Sequence, residues 1–206
     1  MNDIKANLEL WLENFTKVQL PNWDKLPDID LYMDQVVTYI ISQLQIDETE
    51  KESILTPSMV NNYVKSGALP SPIQKKYNKE HLFYLIVFRT LKSVLSINSI
   101  KQLFDNIVKD NEISTIHDNF KNIFESLLQK TIQSLTSEIN DDIDSLSQLA
   151  LRLAIEAHVK KVIAEKIIEL LILPKPQEET EKETEKDKNN KDKNNKDQKK
   201  KKEAKN

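Results

Sequence analysis

Apolar residues recur along this chain at helical spacing and almost nowhere at the alternate spacing of a strand. Between residues 31 and 45, Tyr32, Val36, Tyr39 and Ile40 form one row, with Met33, Val37, Ile41 and Leu44 beside it. Two adjacent rows predict a largely buried helix from Leu31 to Gln45, with Asp30 as its cap. Upstream, LELWLENF predicts a short helix, and PNWDKLPDID reads as a Pro-rich link that anchors on the core through Trp23 and Leu26. Residues 46–53 are a polar loop. Thr56 then reads as an N-cap with Pro57 at the first helical position, where its missing N–H costs nothing. That helix is expected to run to about Ser66 and stop at Gly67, because glycine takes the left-handed conformation without steric penalty. Pro70 and Pro72 keep the next residues extended.

Asn78 is the expected cap of a helix from Lys79 to about Leu95, whose LFYLIVF run is apolar on every side and marks the central buried helix. Ser96 starts another, with Ile97, Ile100, Leu103, Phe104 and Ile107 at helical spacing. Two longer amphipathic helices are expected over residues 115–139 and 144–173. Only residues 73–77 leave room for a small hairpin. From Pro174 to Asn206 the chain holds one alanine and no larger apolar residue apart from prolines, so this charged tail is expected to be disordered.

Composition sharpens the picture. A single glycine in 206 residues excludes glycine-rich phosphate loops and disfavours a sheet with many tight turns. The fold class expected is therefore all-α. The absence of cysteine removes disulfides, thiolate metal sites and cysteine nucleophiles. The most apolar late run, residues 162–173, is broken by Glu165, Lys166 and Glu169 and is too short to span a bilayer. A soluble, cytoplasmic protein that does not engage a membrane is expected. The net charge of −3 conceals a division. Residues 51–101 carry eight basic and two acidic side chains, whereas the flanking parts, residues 1–50 and 102–173, are acidic. A local basic patch on an acidic body suggests a defined polyanion site.

The residues of that patch are suited to nucleic acid. Ser58, Asn61, Asn62 and Lys65 offer hydrogen bonds for base edges and phosphates, and asparagine can pair bidentately with adenine in the major groove. Lys75, Lys76 and Lys79 follow just beyond and are candidates for contact with the DNA backbone. Tyr63 and Tyr77 can pack while their hydroxyls reach a phosphate, and Thr56, at the head of the helix, completes the candidate set. A polar surface helix beside solvated lysines is the plainer reading, and a helical module that docks an acidic protein is the functional alternative.

Catalysis finds little support. His81, His117 and His158 are scattered, and His81, in the first turn of a helix, fits a capping or surface role. Asp141-Asp142 and Asp28/Asp30 precede helices and suit the helix dipole. No nucleophile-elbow pattern surrounds any serine. A non-enzyme without cofactor or metal is expected.

In order, Thr56, Tyr63, Gly67, Ala68-Leu69, Pro72, Lys75-Lys76 and Tyr77, then NKEHLFYLIVFRTLKSVL and SINSIKQLF, resemble the DNA-binding head of MerR-type regulators. The longer string WDKLPDIDLYMDQVVTYI followed by LTPSMVNNYVKSGALPSPIQKKYNKEHL resembles a bacterial family of unknown function built around such a head and described as transcriptional regulators. The resemblance implies a helix-turn-helix with a short wing over residues 31–110. An N-terminal extension (1–30), a C-terminal helical region for dimerisation or effector binding (111–173) and the tail (174–206) complete the expected organisation. Double-stranded DNA is the expected partner, read by the helix 57–66. The surplus apolar surface of the last two helices suggests a homodimer. No residue identifies a small-molecule effector.

Overall fold

The computed structural model describes residues 3–43 and 55–172. Helix α1 (Ile4–Thr16) is capped by Asp3, whose carboxylate accepts the amide of Ala6 at 2.9 Å. The Pro-rich link, with one 3₁₀ turn at Trp23–Lys25, leads into strand β1 (Leu31–Tyr32) and helix α2 (Met33–Gln43). Then come α3 (Pro57–Lys65), β2 (Lys76–Tyr77), α4 (Lys79–Leu91), α5 (Ile97–Ile107), α6 (Ile113–Thr136) and α7 (Ile143–Ile172). The fold is all-α apart from the two-stranded ribbon, and among the described residues no helix is long and apolar enough to cross a membrane. The polar loop expected at 46–53 and the charged tail lie outside the described residues.

Helix α4 is the centre. Leu82, Phe83, Leu85, Ile86, Val87 and Phe88 are all at most 1% exposed, so they account for the apolar run that reads as central. Each such side chain contributes roughly 2–3 kcal/mol through burial. Packed around them are Val36 and Ile40 of α2, Val60 and Tyr63 of α3, Ile100 and Phe104 of α5, Ile116 of α6 and Ile168 of α7. Leu20 and Leu26 of the link join the same core, and Trp23 packs on it from one side. A smaller cluster of Leu12, Ile132 and Ile139 ties α1 to the far end of the α6–α7 pair. Asp142 caps α7 by accepting the amide of Ser145 at 2.9 Å.

Three expectations need correction. Leu31 and Tyr32 are not the first turn of α2 but a strand, paired antiparallel with Tyr77 and Lys76 respectively. Asp30 therefore does not cap the helix; the Gln35 side chain accepts the amide of Tyr32 instead. Nor is α2 largely buried, since only Val36 and Ile40 are inside while Ile41 faces solvent. Helix α4 also ends at Leu91, short of Leu95. There the chain turns so that Leu95 tucks into the core, and Ser96 caps α5 through the Ser99 amide at 3.0 Å.

Candidate nucleic-acid interface

Helix α3 owes its start to Thr56, whose hydroxyl accepts the Met59 amide at 3.3 Å, and to Pro57 in its first turn. Val60 and Tyr63 are buried, and Met59 and Val64 are half-buried beside them. At 100° per residue, Ser58, Asn61, Asn62 and Lys65 fall within an arc of about 100° on the opposite side. All four are exposed. The helix thus presents two amides, a hydroxyl and an ammonium on one face, with no acidic residue anywhere from Ser53 to Lys79.

Gly67 ends the helix as expected. Its φ of +68° lets the amides of Ala68 and Leu69 return to the Tyr63 carbonyl at 2.9 and 3.0 Å. A Cβ added there would meet nothing closer than the Lys101 side chain at 3.9 Å, so the requirement is conformational and not one of space. Ala68 and Leu69 are buried, which pins the exit from α3 to the core.

After Pro72 the chain reverses at Gln74-Lys75. Ile73 and Lys76 exchange both backbone hydrogen bonds, at 3.1 and 2.9 Å. Gln74 and Lys75 both have positive φ, +51° and +63°. This is the two-residue turn usually built from Asn-Gly, because both positions are left-handed. Here two long side chains occupy it and both are exposed, as is Ile73. β2 continues from the turn onto β1, where the Lys76 ammonium lies 5.3 Å from the centre of the Tyr32 ring.

The candidate residues therefore sort by placement. Ser58, Asn61, Asn62, Lys65 and Lys75 are exposed, and Thr56 is exposed but occupied as a cap. Lys76 is half-buried on Tyr32. Lys79 is taken up internally: its ammonium is 2.5 Å from Asp28 and lies over the Trp23 ring. Tyr63 and Tyr77 are core residues, 6% and 3% exposed, with rings against Phe88 and His81. Burial pushes both phenols above their ordinary pKa. Their expected phosphate contact has no exposed ring to rest on.

Two contributors escape a reading of the sequence. Gln74 lies in a turn with no glycine or asparagine to signal it. Lys101, on α5, comes beside Gly67 at the end of α3 while pairing with Asp105 at 2.5 Å, a proximity that only the tertiary fold creates.

His81 holds the base of this region. Its amide donates to Asn78 Oδ1 and its Nδ1 accepts the Asn78 amide, both at 3.2 Å, closing a capping box at the start of α4. The capping role expected from its position is realised, but the ring is buried and not on the surface. Nδ1 also lies 2.5 Å from Asn78 Oδ1, and Nε2 is buried without a hydrogen bond. Burial lowers the His81 pKa; the backbone of Ser71 and Pro70 and the carboxylates of Glu80 and Asp30 oppose the shift without cancelling it. His117 is likewise a packing residue, wedged between Trp23 and Phe83 with Nδ1 3.0 Å from Asp118. Among the described residues no cluster of histidine, aspartate and glutamate is arranged to hold a metal ion.

Compared with known proteins, residues 21–127, just over half of the chain, match the family model described as Domain of unknown function (DUF1836). No curated protein and no solved structure matches the chain.

Proposed function

The chain belongs to the DUF1836 family, and since that description carries no activity, we propose from its own residues that it is a sequence-specific DNA-binding regulator of transcription. In this reading α3 enters the major groove and the turn at Gln74-Lys75 serves as a short wing. The observation that carries it is the exposed face of α3. Ser58, Asn61, Asn62 and Lys65 line up there, while Val60 and Tyr63 fix the helix to the core from behind.

The order of parts supports a MerR-like helix-turn-helix head. A capped reading helix stops at a glycine, a tight ribbon follows, and the longer α4 and then α5 complete it. Roles divide by chemistry. Asn61 and Asn62 suit base edges, with adenine the natural partner of an asparagine amide. Lys65, Lys75, Lys76 and, beside the end of α3, Lys101 suit phosphates. Lys79 is left to its structural pair with Asp28.

The test is fluorescence anisotropy on duplexes selected from genomic fragments, against random duplexes, over a range of salt. Asn62→Ala should cost roughly 1–3 kcal/mol on the preferred site and little on random DNA. Lys75→Ala/Lys76→Ala should weaken all duplexes alike and shallow the slope of log K against log salt by about 0.9 for each phosphate no longer neutralised. Unchanged affinity and slope in that double variant would remove the reading and put an acidic protein partner first.

A further inference from the structure

We propose that the outward face of α7 is the docking surface for a second copy of this chain. One side of α7 is engaged: Ile168 is buried in the main core, and Leu146 and Leu149 pack on the smaller cluster. The rest of the helix is not. At 100° per residue, Leu151, Ile155, Val159, Val162, Ile163 and Leu170 fall within an arc of about 120°, with the first three and Ile163 four apart, and all six are 48–62% exposed. Side chains four apart form the ridge that seats in the groove of another helix. A run of this length is more than a lone exposed leucine; contiguous apolar patches of several hundred Å² on a protein surface mark interaction sites.

Three observations select the occupant. The first is charge. α7 carries Asp144, Glu156, Glu165 and Glu169 against Arg152, Lys160, Lys161 and Lys166. Most of these are paired along the helix itself, as in Arg152–Glu156 at 3.5 Å, Lys161–Glu165 at 3.9 Å and Lys166–Glu169 at 2.9 Å. A balanced, internally paired helix gives no electrostatic preference for an acidic or basic partner or an anionic lipid surface. It meets its own copy without like-charge excess.

The second is size. Six side chains about half exposed offer on the order of 500 Å² per copy, and a pair of copies then reaches about 1,000 Å², the lower bound of a specific interface. Ile167 and Leu171, both 53% exposed, extend it at one edge.

The third is supply. Beyond Leu173 the chain holds no apolar residue except Pro174, Pro176 and Ala204, and residues 44–54 hold only Leu44, Ile46 and Ile54. Neither stretch can match a stripe of this length, whereas a second α7 presents the same ridge.

The inference does not rest on DNA binding, and its test uses no DNA. Light scattering of the full chain at micromolar concentration should give twice the 24.0 kDa chain mass. Ile155→Glu/Ile163→Glu should give the mass of one chain, with association weakened by on the order of a hundredfold or more, because two carboxylates would be buried without partners. Both positions are exposed within one copy, so the helical circular dichroism should be unchanged. Ile155→Ser/Ile163→Ser supplies a milder version should the charged variant fold poorly. Ile29→Glu, at an exposed position of the Pro-rich link, should leave the dimer intact. A wild-type chain of single mass at every concentration would overturn the proposal and leave the face to a different protein. So would a dimer that survives both α7 variants.

Discussion

Gln74 and Lys75 hold a conformation that costs an L-residue roughly 1–2 kcal/mol, yet the chain's one glycine is spent elsewhere. Replacing the pair by Asn-Gly should raise the unfolding free energy by about 1 kcal/mol in chemical denaturation, since the turn keeps its shape and loses its strain. The same variant should weaken DNA binding if Lys75 meets a phosphate, so stability and binding would move in opposite directions. At Gly67 the exchange runs the other way. Gly67→Ala meets open space but keeps the strained φ, and should destabilise by roughly 1–2 kcal/mol. His81 adds a pH dependence. Its folded pKa lies below the ordinary value of about 6.5, so the unfolded chain takes up the proton first as pH falls. The stability it supplies is complete above about 6.5 and is lost as pH drops through that value towards the folded pKa. Melting temperature should therefore fall from about pH 7.5 to about pH 5, with a shallower slope in His81→Gln, which keeps a capping side chain at the third helical position. Gly67 is legible in the sequence because a glycine after a capped apolar period has few other uses. The turn at 74–75 is not, because its residues carry none of the usual turn chemistry.

Among the elements, helices announced by a cap are the legible ones. Thr56, Asn78, Ser96 and Asp142 each accept a backbone amide at the head of α3, α4, α5 and α7. Thr56→Ala should cost about 1 kcal/mol of global stability, measured by thermal or urea unfolding. The ribbon is harder. β1 and β2 have two residues each, too few to show a period, and Leu31 sits at the spacing of the helix that follows it. Only pairing with a segment far downstream draws Leu31 and Tyr32 out of that helix. Likewise the exposed face of α3 can be read from its sequence, but which tyrosines turn inward depends on α4, whose Phe88 receives Tyr63. Local chemistry sets where helices begin, whereas side-chain direction is decided by what lies behind them.

At the scale of the molecule, one core runs from Leu20 to Ile168 and gathers side chains from α2 through α7. Phe83, with no exposed surface and rings of Phe104, His117 and Phe120 around it, is its hub. Phe83→Ala should cost roughly 3–5 kcal/mol, enough to threaten folding outright. By contrast, deleting residues 174–206 removes no apolar side chain larger than a proline or an alanine, and the melting temperature should stay where it is. The ribbon joins parts of the chain that are far apart in sequence. Two-residue strands do not persist alone, and closing this one means bringing together parts separated by all of α2 and α3. The pairing of β1 with β2 should therefore form after the local turn at Gln74-Lys75, which closes through Ile73 and Lys76 alone. The exposed backbone of Gln74 and Lys75 should exchange with deuterium early, whereas the amides of α4 should exchange only as fast as the whole domain opens.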